Sequence, residues 1–201
     1  MKTWPLALLL LALSICGPAS AAEARLWDFR VYLDDSAIGS HRFSLTNKGE
    51  EIHLLSEANF EVKILFFSAY RYVHRAAERW RGDCLLSLDA RTDDNGKQLS
   101  VSRPVLEGCT MSYAYWNPRM LREPRLLNAQ TGDLEPVSIA ALGEDNILVR
   151  GVNVAARRYR ITGAKNPIEL WYSPSGEWLA LDATVDGGRR LRYRLEQVAR
   201  P

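Results

Sequence analysis

Period-two alternation runs through almost the whole chain, and it restricts the fold to sheet. The clearest case lies near the C-terminus, where Leu191, Tyr193 and Leu195 alternate with Arg190, Arg192 and Arg194. Successive strand side chains point to opposite faces, so this pattern describes a strand with one buried and one solvated side. Trp27, Phe29, Val31 and Leu33 alternate in the same way with Asp28 and Arg30, and Tyr70, Tyr72, His74 and Ala76 with Arg71 and Arg75. The spacing predicts strands at about 26–33, 37–46, 51–65, 70–80, 84–92, 99–106, 134–142, 147–152, 155–162, 168–172, 177–185 and 189–198. In the fifth of these, Leu86 and Leu88 share the face of Cys84.

Turn residues punctuate the strands. Asp34-Asp35-Ser36, Asn47-Lys48-Gly49, Arg81-Gly82-Asp83, Gly143-Glu144-Asp145, Ser173-Pro174-Ser175-Gly176 and Asp186-Gly187-Gly188 each read as a connection. A bend is expected at Phe66-Phe67-Ser68-Ala69. Asp94-Asn95-Gly96-Lys97 is the strongest hairpin signal, because Asn-Gly tolerates positive φ at both central positions. Neighbouring antiparallel strands follow from such short links. The expected fold is therefore all-β: a single domain with a strongly curved antiparallel sheet, open or wrapped as a barrel, and one short helix with an irregular lid segment.

That irregular segment is the exception to the alternation. It runs from Tyr113 to Leu134, between the two blocks of strands, and crowds aromatic, amide, proline and arginine residues together. Long irregular segments within a domain are uncommon and often functional. Asn117-Pro118 predicts a short helix, with Asn117 as its cap and Pro118 at its first position, ended by Pro124. Gln130-Thr131-Gly132-Asp133 reads as a turn.

The first residues read as an address and not as structure. Lys2, an apolar run from Leu6 to Ile15 and the small residues Ala19-Ser20-Ala21-Ala22 form a secretory leader. Cleavage near Ala21 or Ala22 divides the chain into a signal peptide at 1–22 and a single domain at 23–201, and it predicts a periplasmic or secreted protein. The apolar run is too short for a permanent span, and no transmembrane segment is expected in the mature chain. Cys16 follows Leu13-Ser14-Ile15, but Ile15 occupies the place where a lipoprotein signal needs a small residue, so lipidation is not expected. Export makes oxidation available to the two remaining cysteines, Cys84 and Cys109, and a disulfide between them would be worth on the order of 3 kcal/mol.

A formal charge of +2 over 201 residues gives no basis for nucleic-acid binding. The motifs of serine hydrolases, phosphate-binding loops and zinc proteases are missing. His41, His53 and His74 fall on separate strands without metal-ligand spacing, so neither a metal nor a cofactor is expected. The best candidates for contact with a ligand are Tyr113, Tyr115, Trp116, Asn117 and Trp171, since aromatic rings offer flat apolar area and an amide can orient a bound group. Trp116 plugging one end of the barrel and Asn117 capping the helix is the competing structural role. Arg157, Arg158, Arg160, Arg189, Arg190, Arg192 and Arg194 would form a basic face if their two strands paired. Such a face would suit peripheral contact with envelope lipid headgroups or simple solvation.

Several motifs carry a family resemblance. Glu78-x-Trp80 before Gly82, Thr92-x-x-Asn95-Gly96, Tyr115-Trp116-Asn117, Leu127-Asn128-x-x-Thr131-Gly132 and Leu170-Trp171-Tyr172 occur in that order. The chain resembles an uncharacterised exported bacterial family, domain of unknown function 6134. The resemblance implies a curved antiparallel sheet and a periplasmic location, and it assigns no catalytic residue. Three function classes follow. The first is a non-enzymatic carrier for a small hydrophobic or lipid-like ligand held inside the curved sheet. The second is a cell-envelope enzyme using carboxylates such as Glu78, Glu57 or Asp182, the last read as sharing a strand face with Trp178 and Ala180. The third is a structural or assembly partner that pairs a strand edge.

Overall fold

A computed structural model describes residues 24–64, 67–163 and 165–199. The leader with Cys16, Leu65 at the end of the third expected strand and Phe66 of the expected bend lie outside the described residues. Eleven strands form one antiparallel sheet. The first six are β1 (Ala24–Leu33), β2 (Ser36–Lys48), β3 (Glu51–Ile64), β4 (Phe67–Arg81), β5 (Cys84–Asp94) and β6 (Lys97–Arg103). The later half of the irregular segment forms a two-stranded hairpin, β7 (Arg125–Leu127) and β8 (Leu134–Pro136). The chain then continues as β9 (Ser138–Val149), β10 (Val152–Thr162), β11 (Ile168–Tyr172), β12 (Trp178–Thr184) and β13 (Arg190–Ala199). Each block is a meander, and β1 pairs with β13 to fuse the two, giving the order β6-β5-β4-β3-β2-β1-β13-β12-β11-β10-β9.

The sheet is rolled but not closed. β9 comes round to approach β12 and β13 without bonding to them. Bulges bend the strands, since an extra residue on one side increases local twist. Register shifts leave Ile38, Ala69, Leu86, Leu142, Leu179 and Glu196 as the extra residues. Two expectations are corrected on this account. Gly143-Glu144-Asp145 is not a connection: β9 runs through it, with a bulge at Leu142, and the chain reverses at Arg150-Gly151. The bulge at Leu86 changes parity, so Leu85 is buried together with Leu88, Ala90 and Thr92, and Leu86 is not.

The inner face carries the core. Trp178 stands at its centre, 4.1 Å from the Phe29 ring and 5.1 Å from both Phe43 and Tyr115. Aromatic pairs at such separations add about 0.5–1.5 kcal/mol beyond the area they bury. The irregular segment enters this core. Met111, Ala114, Met120, Leu126 and Leu127 are buried, and the short helix is a single 3-10 turn, Pro118–Arg122. Cys84 and Cys109 are disulfide-bonded, tying the start of β5 to the stretch that leads from β6 into that segment.

The outer face of the C-terminal block is ionic. The strands that carry the arginines do not pair with each other; β11 and β12 lie between β10 and β13. Those two strands supply the counter-charges. Glu169 of β11 binds Arg158 and Arg160, and Asp182 of β12 binds Arg190 and Arg194. Arg189 and Arg192 reach Asp34 and Asp35. The expected basic face is thus a ladder of ion pairs, with Asp182 held structurally between two guanidinium groups. The bulge at Leu179 also separates Asp182 and Ala180 from Trp178, which turns inward with Tyr172.

Candidate ligand cleft

The two ends of the rolled sheet differ. At one end lie the β2–β3 and β4–β5 turns, and there the irregular segment packs as a plug. Asn117 accepts from the Arg119 backbone N–H at 3.0 Å, capping the 3-10 turn, and donates to Asp83 Oδ1 of the β4–β5 turn at 3.0 Å. Trp116 meets the buried Trp80 ring edge-on at 5.5 Å. Substituting Asn117→Ala should therefore cost about 1–2 kcal/mol of stability, by loss of the cap and of the bond to Asp83. Urea unfolding checks this, and an unchanged midpoint would refute the plug geometry.

The other end gathers the β1–β2, β5–β6, β10–β11 and β12–β13 connections around an open cleft of about 640 Å³. Its walls are apolar: Leu33, Ile38, Phe60, Val62, Val185 and Leu191. Ile38 and Ala69 reach the lining as bulge residues, which no alternation pattern would place there. Gly39 makes this possible. It sits between β1 and β3 so closely that a Cβ would stand 1.9 Å from the Asn59 carbonyl oxygen.

The floor of the cleft is polar but uncharged. His41, Tyr72 and Tyr193 line it; Ala58, His74 and Thr92 lie level with His41 on β3 to β5 but outside the lining. His41 stacks on Phe43 at 4.1 Å, with Nε2 2.7 Å from Ser56 Oγ and Nδ1 3.3 Å from Tyr193 Oη. His74 Nδ1 lies 2.8 Å from Thr92 Oγ1. Burial holds both imidazoles neutral: His74 is lowered to about 4, and His41, also facing His74, falls well below the ordinary 6.5. Burial likewise pushes the Tyr72 and Tyr193 hydroxyls upward. His41 touches the cleft while Ser56 lies outside the lining, so the pair does not present a nucleophile to a bound molecule. Charges stand at the mouth. Arg189 binds Asp34 at 2.8 Å, Asp94 accepts from Tyr70 Oη at 2.7 Å, and Lys165 lies on the β10–β11 connection.

The residues singled out from sequence are distributed differently. Tyr115 packs on Trp178, and Tyr113 donates to Glu135 Oε2 at 2.6 Å. Trp116 and Asn117 line a second recess of about 600 Å³ at the plugged end, beside Arg25, Trp27 and Asp83. Trp171 lies on the outer face, under Arg158 and Arg194, with its indole N–H donating to Asp145. From the irregular segment, Gln130 reaches the open cleft, where its Oε1 accepts from Tyr72 Oη at 3.2 Å. Among the described residues no three potential ligand side chains gather as a metal site.

Of the candidate carboxylates, Glu57 faces outward beside Arg75. Glu78 is fully enclosed, and burial raises it to about 7, partly offset by hydrogen bonds from the Trp80 indole at 2.8 Å and Ser112 Oγ at 3.3 Å. Trp80 and Ser112 are themselves buried, so the Glu78 carboxyl is held by buried partners; the residue also borders a recess of about 620 Å³ with Leu54, Ala77, Arg79 and Leu88.

A rolled, unclosed antiparallel sheet, plugged at one end and hollow at the other, defines a β-barrel-like protein. This chain belongs to the DUF6134 family, a domain of unknown function whose family model matches residues 29–196. The solved structures similar to it include a beta-barrel-like protein of domain of unknown function DUF1849 from Brucella abortus. That likeness has a TM-score of 0.51 at 9% identity, covering 90% of this chain and 98% of the other, and shows a shared fold. No curated protein matches the chain. No helix among the described residues is long and apolar enough to cross a membrane.

Proposed function

We propose that this protein is a non-enzymatic binding protein of the bacterial envelope, exported by its leader, that carries a small hydrophobic or lipid-like molecule in the open cleft. The carrying observation is the cleft itself. Its volume of about 640 Å³ falls within the roughly 300–1,000 Å³ of ligand pockets, and its apolar walls with a few hydrogen-bonding groups match their composition. The carboxylate-enzyme reading loses support because the Glu78 carboxyl is buried and bonded to Trp80 and Ser112, Asp182 is ion-paired and Glu57 faces outward. Native mass spectrometry of the protein isolated from its own envelope tests the proposal. The expected spectrum contains a non-covalent apolar passenger, whereas apo protein that also fails to bind an apolar fluorophore would reject it.

A further inference from the structure

We infer that the cleft selects uncharged molecules, apolar along their length and ending in a hydroxyl or carbonyl, over fatty anions of the same length. This rests on the carrier reading and narrows it.

The first argument concerns the floor. Its cleft-facing polar groups are the Tyr193 hydroxyl, backed by His41 at 3.3 Å, and the Tyr72 hydroxyl, backed by Gln130 at 3.2 Å. The Tyr72 hydroxyl gives its proton to Gln130 Oε1 and keeps only an acceptor position, while the Tyr193 hydroxyl, with His41 as its one partner, keeps a donor or an acceptor position according to the His41 tautomer. Ser56 holds the other face of the His41 ring, so that ring is oriented from behind. A ligand hydroxyl or carbonyl completes such a floor at little cost, whereas a carboxylate brought there would lose its hydration with no cation to meet it.

The second argument concerns the mouth. Two cations, Arg189 and Lys165, stand with two anions, Asp94 and Asp34. Asp34 already holds Arg189, so the mouth offers a balanced rim and not an anion clamp. A fatty carboxylate seated there would also leave its alkyl end against the two tyrosine hydroxyls.

Displacement of the uncharged fluorophore N-phenyl-naphthylamine from the full mature protein tests this. Dodecanol and dodecanone should displace it at concentrations about ten-fold lower than dodecanoate, the penalty expected for a charge without a partner. Tyr193→Phe should weaken dodecanol about three- to ten-fold and leave the fluorophore unaffected, since it removes one hydrogen bond and no apolar area. Dodecanoate competing as well as dodecanol would overturn the selectivity while leaving the carrier reading intact. Failure of the fluorophore and of every competitor to bind would overturn both. The comparison on the unsubstituted protein decides the matter even if Tyr193→Phe does not fold.

Discussion

Gly39→Ala should abolish folding, or cost at least about 4 kcal/mol, although it adds a single methyl group. Gly39 lies in β2, opposite Val31 on one side and Phe60 on the other, next to the bulge that turns Ile38 into the cleft. A Cβ there would stand 1.9 Å from the Asn59 carbonyl oxygen and 2.9 Å from its carbon. Both belong to the backbone of an interior strand, so no flexible side chain can move aside. Relief requires separating β2 from β3, which breaks the ladder beneath His41 and Ser56. Circular dichroism with urea unfolding measures the effect. Near-native stability would mean that the strands do not approach so closely and that the roll of the sheet arises elsewhere.

The second large effect is a pH dependence centred on Glu78. The folded protein keeps the Glu78 proton up to about pH 7, while the unfolded chain releases it near the ordinary 4.5. Between these values the native state binds the extra proton, so stability falls as pH rises and levels off above about 7. The shift corresponds to roughly 3 kcal/mol. His74 works in the opposite direction. Its folded-state value is about 4 against 6.5, so the unfolded chain holds the extra proton between those values and stability is lost as pH falls through them. Glu78→Gln keeps an acceptor for the Trp80 indole and removes only the first contribution. The variant should be close to the parent or less stable at pH 4.5 and gain on it by roughly 3 kcal/mol towards pH 8. A difference independent of pH would show that Glu78 is not buried as an acid.

Much of this architecture is legible in the residues. The alternation of Leu191, Tyr193 and Leu195 with arginines is the inner and outer face of β13. Asn95-Gly96 turns where expected, both residues having positive φ, and Asn117-Pro118 caps and opens the 3-10 turn. Cys84 and Cys109 bond. The failures in placing turns and strand faces share one cause, the bulge. An extra residue reverses the parity of everything beyond it, and no residue type marks it reliably. Gly143 therefore looks like a turn inside a continuous strand, and Trp178 and Asp182 look like neighbours on one face.

The ion-pair ladder was hidden for a different reason. Its carboxylates, Glu169 and Asp182, interleave with the arginines only once the strand order is known. The cleft was hidden similarly. His41, Phe60, Tyr72 and Tyr193 are all readable as inward-facing, but β2 and β13 meet across some 150 positions of sequence. Which inward residues fill the core and which border a hollow depends on how the irregular segment packs. Of its rings, Trp116 lines the recess at the plugged end, Tyr115 packs on Trp178 and Tyr113 bonds Glu135.

The most direct test of the central claim fills the cleft from its own wall. Leu191 lines the cleft from β13, and Leu191→Trp would occupy part of it without crossing the Trp178 core. Native mass spectrometry of this variant, isolated from the same host cells as the parent, should show the proposed passenger lost while the thermal unfolding midpoint stays within a few degrees. A variant that retains the passenger at the parent's occupancy would contradict the account, because the bound molecule would then lie somewhere other than this cleft.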